Sequence, residues 1–280
     1  MNNQMHRNFI HTLSFCFLWL VIVFTIQASG PGKDLKTKSV SLLTIGNSFA
    51  GNALKYLPQI TKSVVGYEIL ITTANIGGCS LEKHVSLIRG CEKDSSLKPY
   101  SEKYCLNELL LMDNYDFITI QQASPLSFNA ESFQPYADSL FEFIKKLSPE
   151  SEVLIHQTWA YSPASKRLKE LGLSRDEMHY RLLKNYNDLS EHLDLRILPS
   201  GNAFYRSYKR NPGVELWAED GYHAGMNGCY LAGCIWFGRF FGVSPAKIRF
   251  IPEGMSPETA KFLRKIAVKE IRKIKKADPD

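Results

Sequence analysis

Five short apolar runs, separated by stretches with helical periodicity, constrain the fold of this chain more than any other feature. They lie at 39–45, 67–73, 117–120, 153–156 and 195–198. The runs at 39–45 and 117–120 are apolar and rich in strand formers, as buried strands are, whereas 67–73 alternates between apolar and polar residues. Helical patterns cover 51–65, 130–147, 174–192 and 257–276. Strands that alternate with helices predict a parallel sheet with helices on both faces, in one three-layer α/β domain over residues 38–276.

The first 28 residues have the pattern of a separate targeting segment. Arg7 precedes a mainly apolar stretch at 9–26, and small residues follow from Ala28. A positive start, an apolar centre and a small-residue exit are typical of a secretory signal peptide, which predicts a periplasmic or extracellular protein. The alternative is an uncleaved anchor, because an apolar stretch of this length just reaches across a bilayer. Cleavage would leave no stable membrane partner.

Charge and cysteine content exclude several function classes. The net charge of +6 falls to +5 without residues 1–28, and no basic stripe with interleaved aromatic residues precedes the last helix, so no nucleic-acid partner is predicted. The basic end of that helix, at 272–276, complements the helix dipole. The remaining cysteines are Cys79, Cys91, Cys105, Cys229 and Cys234. None forms a CxxC pair, so neither a metal site nor a cofactor is predicted. An exported chain can form disulfides, and a Cys91–Cys105 bond would close the loop-like stretch between them.

Polar residues follow each predicted strand. Open parallel sheets bind ligands beyond the carboxyl ends of their strands, so these residues are the candidates for a site. In strand order they are Gly46-Asn47-Ser48, Gly77-Gly78, Gln121-Gln122, Gln157-Thr158-Trp159, and finally Gly201-Asn202 with Asp220-Gly221-Tyr222-His223. Together they supply a hydroxyl, backbone donors, carboxamides, a carboxylate and an imidazole. Those groups are the components of an acyl-transfer site.

The candidate catalytic residues are Ser48, His223 and Asp220. Ser48 would act as nucleophile and its own backbone N–H would face the oxyanion. His223 would take the hydroxyl proton, and Asp220 would hold the other ring nitrogen and fix the tautomer. Two structural interpretations stay open. Ser48 also fits a helix N-cap, and His223 also fits a loop histidine that caps the helix starting near Asn227.

Further oxyanion donors are expected after the second and third strands. The backbone N–H of Gly77 or Gly78 and the side-chain amide of Gln121 are the candidates. A tight turn at the two glycines and a polar strand terminus at Gln121 are the alternatives. The sequence leaves open whether Gln121 or Gln122 serves as the carboxamide donor.

The order of these blocks resembles the SGNH hydrolase superfamily, also called GDSL-like esterases. Its Gly-Asp/Asn-Ser block matches Gly46-Asn47-Ser48, its second-block glycine matches Gly77 or Gly78, and its Asp-x-x-His block matches 220–223. The usual Gly-x-Asn-Asp block is replaced by residues 121–124, Gln-Gln-Ala-Ser, which is similar to the carbohydrate-esterase branch. The Gly-x-Tyr-Leu helix start at 228–231 resembles a poorly characterised family of exported bacterial SGNH-like proteins.

This resemblance implies a flavodoxin-like α/β/α sandwich with a five-stranded parallel sheet. It also implies a Ser48–His223–Asp220 esterase that removes acyl groups, often acetyl, from carbohydrate without a cofactor. Substrate contacts are expected from Asn47, Gln122, Trp159 and Tyr222, with the aromatic rings packing on sugar faces. Rings of this kind also line protein cores. The alternative function is an inactive SGNH-fold protein that binds carbohydrate or serves the cell envelope.

Overall fold

The strands form a single parallel sheet in the computed structural model, which describes residues 37–277. They are β1 (Lys38–Gly46), β2 (Tyr67–Asn75), β3 (Phe117–Ile120), β4 (Glu152–His156) and β5 (Arg196–Leu198). Their order is β2-β1-β3-β4-β5, and every neighbouring pair is parallel. The chain moves from β1 to β2 on one side and then crosses back to β3 on the other. The carboxyl end of β1 is therefore the topological switch point, where such sheets bind ligands.

Helices cover both faces of this sheet. They are α1 (Ser48–Leu54), α2 (Leu57–Lys62), α3 (Leu81–Lys93), α4 (Leu106–Leu110), α5 (Tyr136–Leu147), α6 (Lys166–Glu170), α7 (Arg175–Leu193), α8 (Ser200–Arg210), α9 (Met226–Phe241) and α10 (Pro257–Ala277). Helices α1, α2, α8 and α10 pack around α9, whereas α3 and α4 pack with α5. Right-handed crossovers in opposite directions from β1 place these groups on opposite faces. The predicted three-layer architecture is confirmed.

Helix α9 forms the centre of one helical layer. Every residue from Gly228 to Phe241 is buried. A helix that is apolar on all sides requires enclosure, and α9 obtains it from the four helices that pack around it. Because α9 begins at Met226, its docking also fixes the position of His223, which lies just before it.

Two predicted helices are interrupted, and in each case a proline explains the difference. The helix expected at 51–65 is split into α1 and α2, and Pro58 lies in the first turn of α2, where its missing N–H costs no hydrogen bond. The helix expected at 130–147 begins only at Tyr136, after a short 3₁₀ turn at 130–132. Pro135 disfavours helical backbone at the residue before it. Helix α8 was not predicted.

The cysteines divide into one disulfide and three buried thiols. Cys91 and Cys105 are bonded, as the sequence suggested, and join the end of α3 to the start of α4. Among the described residues, the free cysteines are Cys79, Cys229 and Cys234, all buried. Burial raises the pKa of the first two thiols to about 11 and that of Cys234 to about 12. These thiols stay protonated at neutral pH and are therefore poor nucleophiles.

Two glycines in helices predict opposite responses to alanine. A Cβ at Gly228 would lie 2.2 Å from the Leu216 carbonyl oxygen, whereas a Cβ at Gly51 would meet nothing within 4 Å. We expect Gly228→Ala to lower the free energy of unfolding by about 3 kcal/mol, because backbone must move. Gly51→Ala should raise it by about 0.5–1 kcal/mol through helix propensity. Urea unfolding measures both, and equal stability of the two variants would contradict this packing.

The described helices and the predicted targeting segment bear on membrane crossing separately. Within residues 37–277, every helix falls short of the length and apolar content that a membrane crossing needs. The signal peptide predicted at 1–28, and its alternative as an uncleaved anchor, lie outside the described residues.

Candidate active site

Polar side chains from three neighbouring strands meet at the carboxyl edge of the sheet. Asn47 and Ser48 follow β1, Gln121 follows β3, and His156 is the last residue of β4. These strands are adjacent and parallel, so their carboxyl ends lie side by side. His223, far along the chain, reaches the same edge through a contact with Ser48.

Ser48, His223 and Asp220 form a continuous hydrogen-bonded row. Ser48 Oγ lies 2.8 Å from His223 Nε2, and His223 Nδ1 lies 2.7 Å from Asp220 Oδ2. An ionised carboxylate only accepts hydrogen bonds, so Nδ1 carries the proton and Nε2 is left to accept from the serine hydroxyl. The His223 side chain is 29% exposed, so the row opens to solvent. The structure thus brings together the three residues that the sequence singled out.

The Asp220 carboxylate is held by the backbone as well as by the imidazole. Its Oδ1 accepts from the N–H groups of Tyr222 and His223, each at 2.9 Å. Burial acts to raise the pKa of this carboxyl, but the hydrogen bonds from Tyr222 and His223 outweigh it and hold the pKa below its usual range. Asp220 is therefore ionised at neutral pH and keeps one oxygen directed at the imidazole.

Backbone hydrogen bonds close the loop at 217–225, which we call the histidine loop. The Ala218 N–H donates to the His223 carbonyl oxygen at 2.9 Å, and the Gly225 N–H donates to that of Leu216 at 2.9 Å. These bonds pair the two ends of the loop before α9 begins. The imidazole is consequently presented by a short closed turn.

Two contacts fix the histidine loop against the rest of the site. The Ala224 N–H donates to Asn52 Oδ1 at 3.1 Å, and Asn52 lies on α1 together with Ser48. Gly221 has a φ of 73°, and a Cβ there would come within 2.9 Å of the Ser165 Cβ. The loop is therefore held both to the serine helix and to the segment after β4.

Asn47 is the N-cap of α1 and joins three parts of the site. Its Oδ1 accepts from the Phe49 N–H at 3.1 Å and from Gln121 Nε2 at 2.7 Å, while its Nδ2 donates to the Cys79 carbonyl oxygen at 3.0 Å. The interpretation of Ser48 as the N-cap is therefore wrong, because Asn47 occupies that position. Asn47 is only 2% exposed, so it braces the site and does not face the substrate, contrary to expectation.

Gln121 lies behind Asn47 and is oriented by a buried histidine. Its Oε1 accepts from His156 Nδ1 at 2.6 Å, and its Nε2 donates to Asn47 Oδ1. Gly46 leaves room for it, since a Cβ there would lie 3.0 Å from the Gln121 side chain. Gln121 is 2% exposed. The structure therefore places this candidate oxyanion donor in the supporting layer, where its amide orients Asn47.

Gly77 and Gly78 form an exposed turn that follows β2 at the same edge of the sheet. The Ile76 N–H donates to the Gly46 carbonyl oxygen at 3.0 Å, and the Cys79 N–H donates to that of Ile76 at 3.0 Å. Gly78 has a φ of 65°, which favours glycine. The turn is thus tied to the end of β1, and within residues 37–277 no acceptor binds the N–H of either glycine.

The substrate contacts expected from Gln122 and Trp159 do not fit the structure, because both side chains are fully buried. The Gln122 amide bonds the N–H of Leu81 and the carbonyl oxygen of Ser132. The Trp159 indole N–H donates to the Tyr222 carbonyl oxygen at 3.0 Å. Burial forces these polar atoms to find partners inside the protein. Both residues support the site from within.

Tyr222 is half-buried and lies beside the row of Ser48, His223 and Asp220. Its ring centroid lies 4.3 Å from that of His223. The Arg167 guanidinium lies 3.8 Å from the centre of the Tyr222 ring. Of the expected substrate contacts, Tyr222 therefore keeps its place at the site, in company with a cation.

Two fully buried histidines, His84 and His156, contact residues that adjoin Asn47. His84 contacts the Gly46 carbonyl oxygen through Nε2 at 3.1 Å and the Tyr100 hydroxyl through Nδ1 at 2.9 Å. Burial lowers the pKa of His156 to about 3 and that of His84 to about 4. Both rings are therefore neutral in the folded protein.

This neutrality predicts a loss of stability in mild acid. The contribution of the two neutral histidines to the free energy of unfolding is complete above about pH 6.5, the pKa of a histidine in the unfolded chain. Below that pH the unfolded chain binds protons at these histidines before the folded protein does, so the contribution is lost as the pH falls. At pH 5 each ring should lower the free energy of unfolding by about 2 kcal/mol. Urea unfolding at pH 7.5 and pH 5 measures the effect. His156→Gln should reduce it, His192→Gln on the exposed side of α7 should not, and an unchanged dependence in His156→Gln would contradict the prediction.

Sequence reasoning missed three residues of the site. Asn52 lies in the middle of a helix, and its role depends on the distant histidine loop. His84 lies on α3, in a segment without a readable pattern. His156 ends a predicted strand at the edge where ligands bind, so its position offered a signal.

Comparisons with known proteins agree with this architecture. The model of the family described as Domain of unknown function (DUF4886) matches residues 41–270. A DUF4886 family protein from Bacteroides uniformis is similar to the chain at 27% identity and a TM-score of 0.76, over 84% of this chain and 95% of that one. A putative SGNH hydrolase from Slackia heliotrinireducens is similar at 19% identity and a TM-score of 0.53, over 71% and 97%. No curated protein matches the chain. The sheet and its helices thus have the SGNH hydrolase fold.

Proposed function

The chain belongs to the DUF4886 family and has the SGNH hydrolase fold, and on this basis we propose that it is a serine esterase that removes O-acyl groups, chiefly O-acetyl, from carbohydrate. The observation that carries the proposal is the row of Ser48, His223 and Asp220, with spacings of 2.8 and 2.7 Å, at the switch point of the sheet. A nucleophile, a base and an orienting acid in this geometry perform acyl transfer on many folds.

In the first half-reaction Ser48 Oγ attacks the carbonyl carbon of the ester while its proton passes to His223 Nε2. Asp220 stabilises the imidazolium through Nδ1. The tetrahedral intermediate then collapses, the bond from carbon to the sugar oxygen breaks, and Nε2 returns the proton to that oxygen. The deacylated sugar leaves and the acyl group remains on Ser48.

In the second half-reaction water replaces the sugar. His223 takes a proton from the water, whose oxygen attacks the acyl carbon, and the proton then returns to Ser48 Oγ as the carboxylic acid is released. The negative charge on the carbonyl oxygen needs donors in both halves. We assign that role to the backbone N–H of Ser48 and to the N–H of Gly77 or Gly78, whose turn is tied to the end of β1.

We favour carbohydrate as the carrier of the ester because a cavity with several polar and charged lining residues adjoins Asp220. This cavity has a volume of about 610 Å³. Its lining residues include Ser162, Lys166, Arg167 and Glu219. A lining with both hydrogen-bond donors and acceptors suits sugar hydroxyls better than an acyl chain. Export by the N-terminal segment would place the enzyme with polysaccharide outside the cytoplasm.

The test is release of acetate by the purified protein from 4-nitrophenyl acetate and from a mono-O-acetylated sugar. We expect turnover of both, with activity declining as the acyl chain lengthens. Carbohydrate binding without acetate release would instead support an inactive SGNH-fold binding protein and contradict the esterase function.

A further inference from the structure

The aromatic faces near the triad are already occupied. Trp159 lies between Phe49 and Phe204, with ring centroids 4.5 and 4.3 Å away and nearly parallel planes. The face of Tyr222 is covered by Arg167. Sugar stacking on these rings is therefore blocked, and recognition falls to polar and charged groups.

Arg167 is linked through the Tyr222 ring to His223 and so to the row of Ser48, His223 and Asp220. Its guanidinium lies 3.8 Å from the centre of the Tyr222 ring, and that ring lies against His223. Burial raises the pKa of the Tyr161 phenol, and the nearby Arg167 cation acts to lower it. Stacking on the Tyr222 ring favours one position for the long, exposed side chain of Arg167.

The Arg167 guanidinium has no carboxylate partner in the part of the chain that the structure describes. Four other arginines do pair with carboxylates: Arg175, Arg181, Arg196 and Arg206. A planar guanidinium that is fixed in place and not paired retains donors for an external carboxylate.

The segment that carries Arg167 is fastened to the histidine loop. The Ser162 N–H donates to the Gly221 carbonyl oxygen at 2.8 Å. Gly221 in turn packs on Ser165 so closely that a Cβ would not fit. The backbone that leads into Arg167 is therefore held next to the loop that carries His223.

The carboxylates that line the same cavity form no ion pair with Arg167 in the described part of the chain. Asp220 is committed to His223, and Glu215 accepts from the Trp217 N–H at 3.0 Å. Glu219 lines the same cavity as Arg167. A ligand with one carboxylate and several hydroxyls would bind both charged groups of the cavity. Its carboxylate would pair with Arg167, and its hydroxyls would donate hydrogen bonds to Glu219.

We propose that Arg167, resting on Tyr222, binds the carboxylate of an acidic sugar, so that the natural substrate is an acylated uronic-acid residue. This inference rests on the proposed esterase function and names the substrate class of the same site. A lysine at position 167 would supply the charge but not the planar guanidinium, whose two parallel N–H groups match a carboxylate.

The test compares methyl glycosides of 2-O-acetyl-glucuronate and 2-O-acetyl-glucose, which differ only in the carboxylate. We expect the wild type to favour the uronate about tenfold in kcat/KM, as for a partly exposed bidentate ion pair. Arg167→Gln should bring the ratio close to one, Arg167→Lys should give an intermediate ratio, and 0.5 M salt should lower the wild-type preference. Lys169→Gln, on the same short helix, removes an equal charge and should leave the ratio unchanged.

Equal kcat/KM for the two glycosides in the wild type, or a preference that survives Arg167→Gln, would overturn the inference. Binding to the Ser48→Ala variant separates this failure from failure of the esterase function. That variant should bind glucuronate about tenfold more tightly than glucose by calorimetry, and adding Arg167→Gln should abolish the difference. If the wild type releases no acetate, the esterase function fails, and the binding result alone decides the role of Arg167.

Discussion

Replacing Ser48 by alanine should lower kcat/KM for 4-nitrophenyl acetate by about 10⁵-fold or more. Removal of the nucleophile in a serine hydrolase leaves only the rate that the oxyanion donors and binding provide. In the wild type the hydroxyl lies 2.8 Å from His223 Nε2, so proton transfer and attack need no rearrangement. Alanine removes the attacking oxygen, so the His223 imidazole has no hydroxyl proton to accept.

The fold should survive this change, because Asn47 and not Ser48 caps α1. We expect the free energy of unfolding of Ser48→Ala to stay within about 0.5 kcal/mol of the wild type. Ser95→Ala, at an exposed position on the loop between α3 and α4, is the matched control and should keep full activity. A phosphonate probe should label Ser48 in the wild type and nothing in Ser48→Ala. Residual activity above about one per cent would contradict the role of the hydroxyl.

Asp220→Asn should lower kcat by about 10⁴-fold through the imidazole tautomer. The two backbone N–H groups at 2.9 Å require an acceptor at Oδ1, so the asparagine oxygen stays there and its NH₂ group turns toward His223 Nδ1. Nδ1 must then accept, the proton moves to Nε2, and Nε2 loses the ability to accept from Ser48.

The control for this variant is Glu219→Gln. Glu219 precedes Asp220, is also exposed, and makes no contact with the imidazole in the described structure. Its neutralisation removes the same charge from the same loop and should change kcat for 4-nitrophenyl acetate, which has no sugar for Glu219 to contact, less than threefold. Equal losses in the two variants would show that net charge and not the tautomer governs the rate.

The sheet was predictable because β1, β3 and β4 are mostly buried and therefore appear as apolar runs, whereas the partly exposed edge strand β2 appears as an alternating pattern. Strand positions and the helices α7 and α10 agree with the predicted segments within a few residues. The residues of the Ser48–His223–Asp220 row were predictable for a related reason. A parallel sheet collects the carboxyl ends of its strands at one edge, which accounts for Ser48 after β1. Asp220 and His223 reach that edge on the loop between α8 and α9, and their Asp-x-x-His block was the signal for them.

The supporting and recognition residues were not predictable, because burial and pairing depend on the whole fold. The sequence places Gln121 after β3, but the hydrogen bond from His156 decides that its amide turns to Asn47. The position of Trp159 after β4 predicted a contact with a sugar, but Phe49 and Phe204 cover the two faces of its ring. Likewise, nothing near Arg167 in sequence indicates that it rests on a ring more than fifty residues away.

The separation of 175 residues between Ser48 and His223 has a consequence for the order of folding. Contacts between distant parts of a chain form slowly, since the entropy of closing the loop is lost before any contact compensates for it. A ribosome releases β1 and the serine helix early, whereas the imidazole arrives with the last third of the chain and is positioned only when α9 docks against α1. On the proposed esterase function, a nascent chain therefore carries Ser48 before its base is in place. Ester hydrolysis should appear only after α9 has docked, and a chain truncated before α9 should hydrolyse no ester.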